Sequence, residues 1–200
     1  MIKNIVFDLG KVLLNFKPLE YLSKKISDEK SIREINEAIF KSPEWLMLDR
    51  GTITENEAID RICERNKENS ELIKAVMDDW YQMLTPIDEI VDLLIKIKDK
   101  GYSSYYLSNF HQLAFENVTR SYEFFKCFDG GIVSYRVGLL KPEKEIYEKL
   151  ATAYGIRPKE TIFIDDTLEN ILAAKSLGFE AIHFTGVDDL RDSLSEYNVI

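Results

Sequence analysis

Three short segments rich in β-branched, aromatic and aliphatic residues, each followed at once by polar residues, constrain the fold of this chain more than any other feature. They are residues 5–7, 102–107 and 161–164, and each predicts a short strand. Helical patterns alternate with the strands in the second half of the chain, which is typical of a parallel sheet with crossover helices. Because ligands bind at the carboxyl ends of the strands in such a sheet, the polar residues that follow each strand are candidates for chemistry.

Residues 16–84 lack strand patterns and show helical periodicity instead. Ser42 before Pro43 is a helix-start signal, and Thr54 with Glu57 predicts a capping box. Most aromatic residues of this stretch are expected to pack between helices rather than to bind a ligand; the alternative is that a few of them face the active site. Helices are predicted near residues 18–27, 30–40, 55–67 and 70–83.

From Pro86 onward the chain returns to alternating helix and strand patterns. One helix is predicted to start at Pro142 and to run to about Tyr154, and a final strand near 181–184 closes the sheet. The other predicted elements are helices at 87–100, 111–120 and from about 167 to 178, and a short strand near 131–134. We therefore predict an α/β core with a parallel sheet, formed by residues 1–15 and 85–200, and an inserted helical segment, residues 16–84.

Composition excludes several classes of function. The chain has 200 residues and a formal net charge of -9, which argues against a nucleic-acid partner because polyanions bind clustered lysine and arginine. It contains neither a leader-like segment nor an apolar run of roughly 18 residues, so no membrane association is expected. Two cysteines are too few for a disulfide framework. We expect a cytoplasmic protein that is a monomer or a weak homodimer.

Polar residues after the first two predicted strands, and one lysine further on, form the first candidate site. Asp8 follows the first strand; the alternative is that it only makes an Asx-type turn or caps the segment that follows. Ser108 and Asn109 follow the second strand and can donate hydrogen bonds to a phosphoryl oxygen, although they are also common in turns. Lys141 precedes the helix predicted from Pro142, where the lysine charge and the helix dipole both attract anions; a solvated surface lysine is the alternative.

Two adjacent carboxylates, Asp165 and Asp166, end the third predicted strand. Crowded carboxylates repel each other, and a hard divalent cation with oxygen ligands relieves that repulsion, Mg²⁺ in particular when phosphate is the substrate. The alternative is that Asp166 or Thr167 caps the following helix while Asp165 pairs elsewhere. That alternative explains one acidic residue well and two adjacent ones poorly, so the pair predicts a Mg²⁺ site.

The chain contains four short motifs, which are Asp8-Leu9-Gly10-Lys11-Val12, Ser108-Asn109, Lys141-Pro142, and Asp165-Asp166 with Asn170. In this order they resemble the four motifs of the haloacid dehalogenase-like hydrolase superfamily, and the resemblance covers essentially the whole chain. The resemblance implies a Rossmann-like core with a mobile helical cap. It also implies residue roles: Asp8 as nucleophile with Lys141 as catalytic partner, Ser108, Asn109 and Lys141 as phosphate ligands, and Asp8, the Gly10 carbonyl, Asp165 and Asp166 as Mg²⁺ ligands.

Gly10 departs from the family pattern, which usually has a second aspartate there to protonate the leaving oxygen and then to activate water. General acid–base assistance is worth about 10²- to 10⁴-fold in rate, so a slower phosphatase remains admissible. Without a substitute acid, the rate should depend steeply on the pKa of the leaving group. A water molecule or a residue such as His111 that takes over the proton transfer would make this dependence shallow.

The resemblance implies a Mg²⁺-dependent phosphomonoesterase that acts on a small phosphorylated metabolite through an aspartyl-phosphate. The chain also resembles a bacterial subgroup, beginning Asp-Leu-Gly, that hydrolyses sugar phosphates including glucose 1-phosphate, which extends the expectation to a sugar 1-phosphate. Two alternatives stay open: a metal-independent 2-haloacid dehalogenase-type hydrolase and a non-catalytic phosphate- or metabolite-binding protein. The adjacent acidic pair favours the phosphatase over the dehalogenase.

Overall fold

The computed structural model describes all 200 residues and contains one five-stranded sheet. Its strands are β1 Asn4–Phe7, β2 Ser103–Ser108, β3 Gly130–Val133, β4 Thr161–Asp165 and β5 Glu180–His183. They lie in the order β3-β2-β1-β4-β5, and every neighbouring pair is parallel. At least one helix lies between each strand and the next along the chain, as parallel pairing requires. The predicted α/β class is therefore confirmed.

Residues 16–84, called the helical segment below, contain helices and no strand of the sheet. Its helices are α1 Pro18–Ser23, α2 Glu29–Phe40, α3 Pro43–Arg50, α4 Glu55–Arg65 and α5 Ser70–Asp79. The Ser42 hydroxyl accepts a hydrogen bond from the backbone of Trp45 and so caps α3, a helix for which the sequence predicts only the start. Thr54 and Glu57 form the predicted capping box at the start of α4.

Six more helices flank the sheet. They are α6 Asp88–Asp99, α7 Gln112–Ser121, α8 Ser134–Val137, α9 Lys144–Tyr154, α10 Leu168–Ser176 and α11 Val187–Glu196. The sequence patterns do not predict α11, which buries Leu190 and Leu194 against the core. No helix of the structure combines the length and the apolar character that crossing a membrane requires.

The start of α9 differs from the sequence prediction. The helix begins at Lys144 rather than at Pro142, because residues 140–143 form a turn in which the Glu143 N–H donates to the Leu140 carbonyl at 2.7 Å. Lys141 therefore lies in this turn, and the dipole of a helix that starts directly after it does not explain its position. The side-chain contacts of Lys141, described below, do.

Apolar residues pack on both faces of the sheet. Along β1, Ile5 and Phe7 belong to a cluster of 35 buried residues, whereas Val6 between them belongs to a second cluster of 13. This alternation places the two clusters on opposite faces. The larger cluster also contains Ile35 and Ile62 of the helical segment, so one face of the sheet and the helical segment share a single hydrophobic core.

The two connections between the helical segment and the rest of the chain run side by side. The backbone N–H of Asn15 donates to the Thr85 carbonyl at 2.8 Å, and the Asn15 side chain donates to the Thr85 hydroxyl at 3.0 Å. The Ile87 N–H donates to the Leu13 carbonyl at 2.9 Å. These hydrogen bonds hold together the two connecting segments, residues 13–15 before the helical segment and residues 85–87 after it.

Candidate active site

The candidate residues meet where β1 lies between its two neighbours. The chain runs from β1 to β2 and β3 on one side and then crosses back to β4 on the other side. This change of direction makes the carboxyl ends of β1 and β4 a topological switch point, where ligands bind in such sheets. Asp8 follows β1, Ser108 ends β2 and Asp165 ends β4, so the structure brings the three residues together.

Asp8 is held in one orientation by hydrogen bonds to only one of its carboxylate oxygens. Oδ1 accepts from the Leu9 backbone N–H at 2.7 Å, from the Ser108 hydroxyl at 2.7 Å and from Lys141 Nζ at 2.8 Å. Oδ2 accepts no hydrogen bond from the protein. Burial raises the pKa of Asp8 to about 6, with Asp165 adding to the rise and Lys141 opposing it. The carboxylate is thus oriented through Oδ1, while Oδ2 has no donor from the protein.

Lys141 is a buried cation between two carboxylates. Its Nζ lies 2.8 Å from Asp8 and 2.6 Å from Asp165, and its side chain is 1% exposed. Burial acts to lower the pKa of Lys141, but the two carboxylates outweigh burial and raise it above its usual range. The lysine is therefore positively charged at the carboxyl end of the sheet.

Asn109 uses both ends of its side-chain amide to hold the main chain of Lys141. Its Nδ2 donates to the Lys141 carbonyl at 3.0 Å, and its Oδ1 accepts from the Lys141 N–H at 2.8 Å. This reciprocal pair fixes the turn that carries Lys141. The structure therefore shows Asn109 positioning the lysine, and the direct contact with phosphate expected from the sequence stays a prediction.

The two acidic residues after β4 have different environments. Asp165 is fully buried and saturated: it accepts from Lys141, from the Thr167 N–H at 2.8 Å and from Asn170 Nδ2 at 3.0 and 3.1 Å. Asp166 is partly exposed, and its Oδ2 lies 3.3 Å from Lys11 Nζ. Asp166 therefore has more freedom to bind a further ligand than Asp165.

These carboxylates fit a divalent cation. Asp8, Asp165 and Asp166 each offer one oxygen, and the three oxygens lie within 4.8 Å of one another. Gly10 lines the same cavity, and its carbonyl accepts no hydrogen bond from the protein. Hard oxygen donors of this kind suit Mg²⁺. The Mg²⁺ ligand set named from the sequence is thus gathered in one place, and its function remains a prediction.

A cavity of about 250 Å³ opens over Asp8. Its floor comes from the sheet edge, and its opposite wall comes from the helical segment, with the aromatic rings of Phe16, Trp45 and Trp80. Trp45 packs against Trp80 at a ring-centroid distance of 4.7 Å and against Phe16 at 6.0 Å. The cavity therefore has a charged end at Asp8 and an aromatic wall facing it.

Two charged cavity residues, Asp49 and Lys11, were not identified as site residues from the sequence. Asp49 lies in the last turn of α3 and is followed by Arg50 and Gly51. An aspartate in the last turn of a helix is electrostatically unfavourable, and its place directly before Arg50 and Gly51 is the one signal in the sequence that could have indicated it. Lys11 sits beside the acidic pair, within the first motif.

The structure has room for a side chain at position 10, where Gly10 stands. A Cβ placed on Gly10 meets no heavy atom within 4 Å, and the backbone of Gly10 is not left-handed. The turn could therefore accept a larger residue. Of the residues that line the cavity, Asp49 is the acidic one that the helical segment supplies.

Known proteins resemble this chain over most of its length. The sequence profile described as "Hydrolase: haloacid dehalogenase-like hydrolase" matches residues 2–178. The sesquiterpene phosphatase astK of Aspergillus oryzae is 27% identical over 183 residues, which are 92% of this chain and 90% of the relative. A D-ribitol-5-phosphate phosphatase of Bacteroides thetaiotaomicron is 26% identical over 211 residues, covering 98% of each chain.

A solved structure shows the same fold. It is a HAD family enzyme from Bacteroides thetaiotaomicron in complex with magnesium and inorganic phosphate, and it is 30% identical to this chain. The match covers 91% of this chain and 93% of the relative, with a TM-score of 0.72. The comparisons thus agree with the resemblance inferred from the four motifs.

Proposed function

Because the chain belongs to the haloacid dehalogenase-like hydrolase family, we propose that it is a Mg²⁺-dependent phosphomonoesterase. The observation that carries this proposal is the geometry of Asp8, whose Oδ1 is held by three donors while Oδ2 is free. A carboxylate oriented in this way beside a buried lysine suits nucleophilic attack on a phosphate ester. Two relatives that are phosphatases, and one that holds magnesium and phosphate, support the same reaction.

The reaction proceeds in two displacements at phosphorus. Asp8 attacks with Oδ2, the bond between phosphorus and the leaving oxygen breaks, and an aspartyl-phosphate forms. Water then attacks this phosphorus, the bond to Asp8 breaks, and inorganic phosphate leaves. Lys141 and Ser108 orient Asp8 and stabilise the negative charge that develops on the phosphoryl oxygens.

The metal site of the proposal uses Asp8, Asp166 and the Gly10 carbonyl, with Asp165 next to them. Bound Mg²⁺ supplies a charge that offsets the repulsion between the carboxylate and the phosphate dianion. We assign direct contact to Asp166 rather than Asp165, because Asp165 already accepts hydrogen bonds on both oxygens. Asp165 then acts as the partner that fixes Lys141.

The helical segment acts as the cap in this proposal. It supplies the aromatic wall opposite Asp8, so that the leaving group lies between the wall and the phosphoryl site. Closing the segment over the substrate excludes water from the charged end of the cavity. The paired connections at Asn15 and Thr85 are the place where such a movement would be centred.

The substrate we propose is a small phosphorylated metabolite, with sugar 1-phosphates as the first class to test. Aromatic rings such as Phe16 and Trp45 pack against the apolar face of a sugar ring, and they also pack against a hydrocarbon chain. The names of the relatives illustrate both possibilities, since one is a sesquiterpene phosphatase and the other a D-ribitol-5-phosphate phosphatase. The small volume of the cavity favours a compact leaving group.

The decisive test is hydrolysis of p-nitrophenyl phosphate with Mg²⁺ by the wild type, Asp8→Asn and Asp60→Asn. Asp60 is an exposed residue of the helical segment and serves as a matched control. We expect turnover by the wild type and by Asp60→Asn, and none by Asp8→Asn, since an amide is not a nucleophile toward phosphorus. A panel of glucose 1-phosphate, D-ribitol 5-phosphate and farnesyl phosphate then ranks the substrate classes by kcat/KM.

Two results would contradict the proposal. Near-normal turnover by Asp8→Asn would remove Asp8 from the chemistry. Halide release from a 2-haloacid in EDTA, with no phosphatase activity in Mg²⁺, would identify dehalogenase chemistry instead.

A further inference from the structure

Asp49 occupies an environment that disfavours a charged carboxylate. Its side chain is 16% exposed, and it lies in the last turn of α3, where the helix dipole is negative. Its carboxyl accepts no hydrogen bond from the protein, and the only basic nitrogen within 4 Å is His111 Nε2, at 3.3 Å. A carboxyl group that is largely buried without donors is costly to ionise, so this position favours the protonated acid.

His111 does not provide a positive charge for Asp49. Its Nε2 lies 3.2 Å from the Trp45 carbonyl, and because a carbonyl can only accept, Nε2 carries the ring proton. Its Nδ1 is buried without a partner. Burial lowers the pKa of His111 to about 3, although the hydrogen bond to Trp45 opposes this shift. The imidazole is therefore neutral, and its one proton is already donated to the backbone.

The charged groups across the cavity shift the pKa of Asp49 in opposite directions. Burial is the main cause that raises the pKa of Asp49, to about 8; the negative charge of Asp8 adds to it and the positive charge of Lys141 opposes it. Asp49 is thus mostly protonated near neutral pH. It lines the same cavity as Asp8 and Gly10.

The other cavity groups with protons are engaged elsewhere. Lys141 donates to Asp8 and Asp165, and Ser108 donates to Asp8. Lys11 lies against Asp166, on the metal side of the cavity. Gly10 has no side chain. Asp49 remains as the one acidic side chain that the helical segment contributes to the cavity over Asp8. The leaving group would lie on this side of the cavity.

We propose that Asp49 is the general acid and general base of this enzyme, a catalytic role that rests on the phosphatase function proposed above. In the first step, Asp8 attacks phosphorus, the bond to the leaving oxygen breaks, and the Asp49 proton moves to that oxygen, which leaves as an alcohol. In the second step, Asp49 takes a proton from the attacking water while the bond between phosphorus and Asp8 breaks. Phosphate leaves, and Asp49 is protonated again.

The end of α3 is anchored so that Asp49 keeps this position. The Asp49 carbonyl accepts a hydrogen bond from the Ser134 hydroxyl, and the next residue, Arg50, forms a two-armed ion pair with Glu143. Glu143 lies two residues after Lys141. The same contacts therefore join the acid on the helical segment to the turn that carries the phosphate-binding lysine.

The test compares kcat/KM across phosphate esters whose leaving groups span a wide range of pKa, from p-nitrophenol to alkyl alcohols. For the wild type we expect a shallow dependence, the opposite of what Gly10 alone predicts. Asp49→Asn keeps the size of the side chain but has no acidic proton. It should lose about 10²- to 10⁴-fold on alkyl phosphates and far less on p-nitrophenyl phosphate. Asp60→Asn should match the wild type.

A pH profile provides a second readout that a purely structural role would not change. The wild-type kcat/KM should fall as the pH rises through the pKa of Asp49, because an ionised carboxylate has no proton to donate. Asp49→Asn should lack this fall at high pH.

The outcomes separate this proposal from the one on which it rests. No turnover of p-nitrophenyl phosphate by the wild type would end the phosphatase proposal itself. A steep leaving-group dependence in the wild type would show that no acid acts, and this result does not require any variant to fold. A shallow dependence retained in Asp49→Asn would assign the proton transfer to another group. Either of the last two results overturns the role of Asp49.

Discussion

At the scale of single residues, neighbours in sequence have different functions because their hydrogen bonds differ. Asp165 and Asp166 are adjacent, yet Asp165 is buried with four donor contacts, whereas Asp166 is partly exposed and contacts Lys11. The first aspartate stabilises the buried lysine, and the second is open to an added ligand. Substitution of each should therefore affect a different property.

We expect Asp166→Asn to weaken Mg²⁺ binding. The free energy of unfolding of the metal-free variant should stay close to that of the wild type. Asp165→Asn should lower the metal-free stability, since it removes one partner of a buried ion pair, a change worth about 3–5 kcal/mol. Calorimetric Mg²⁺ titration and urea unfolding in EDTA measure the two effects separately. Equal losses of Mg²⁺ affinity with unchanged stability in both variants would contradict this division.

At the scale of secondary-structure elements, α3 couples the helical segment to the sheet. Gly51 ends α3 with a left-handed backbone, φ 71°, and a Cβ there would lie 2.4 Å from the Tyr135 carbonyl. Gly155 ends α9 with a similar backbone, φ 63°, but a Cβ there meets no atom within 4 Å. Alanine at either position would strain the backbone, but only alanine at position 51 would also clash with a neighbour. Comparing the two variants therefore separates the cost of backbone strain from the cost of the clash.

We expect Gly155→Ala to destabilise the protein by about 1–2 kcal/mol, the cost of a left-handed alanine, with normal activity. Gly51→Ala should cost more, because the end of α3 must also move away from Tyr135. That movement displaces Asp49, so kcat/KM on alkyl phosphates should fall as well. Urea unfolding and steady-state kinetics measure both effects. Full activity in a destabilised Gly51→Ala would show that the position of α3 does not matter for catalysis.

At the scale of the whole molecule, the helical segment and the sheet are parts of one packed structure. The cluster of 35 buried residues includes Phe7 and Ile164 of the sheet together with Leu22 and Val76 of the helical segment. A continuous core of this kind couples the unfolding of its parts, because exposing one side removes the packing of the other.

We therefore expect a single cooperative unfolding transition. Both tryptophans, Trp45 and Trp80, lie in the helical segment, so fluorescence reports on that segment, whereas far-ultraviolet circular dichroism reports on the whole chain. The two signals should share one midpoint, and the calorimetric and van't Hoff enthalpies should agree. An earlier fluorescence midpoint would mean that the helical segment unfolds on its own.

The sequence by itself determined the α/β class, the approximate positions of the five strands and the family. These depend on local patterns: short apolar runs, capping residues such as Thr54 with Glu57, and polar residues directly after strands. Asp8, Ser108 and Asp165 could be predicted to meet because parallel strands end at the same edge of a sheet. The late start of α9 was missed because the turn before Lys144 resembles a first helical turn in sequence.

Only the tertiary structure decided what each of these residues contacts. The reciprocal bonds between Asn109 and Lys141, and the difference between Asp165 and Asp166, depend on which donors come within 3 Å of which oxygens. The position of Asp49 depends on how α3 packs against α8, where the Ser134 hydroxyl donates to the Asp49 carbonyl. Its raised pKa follows from burial and from charges far away in the chain, and the local sequence carries no record of either.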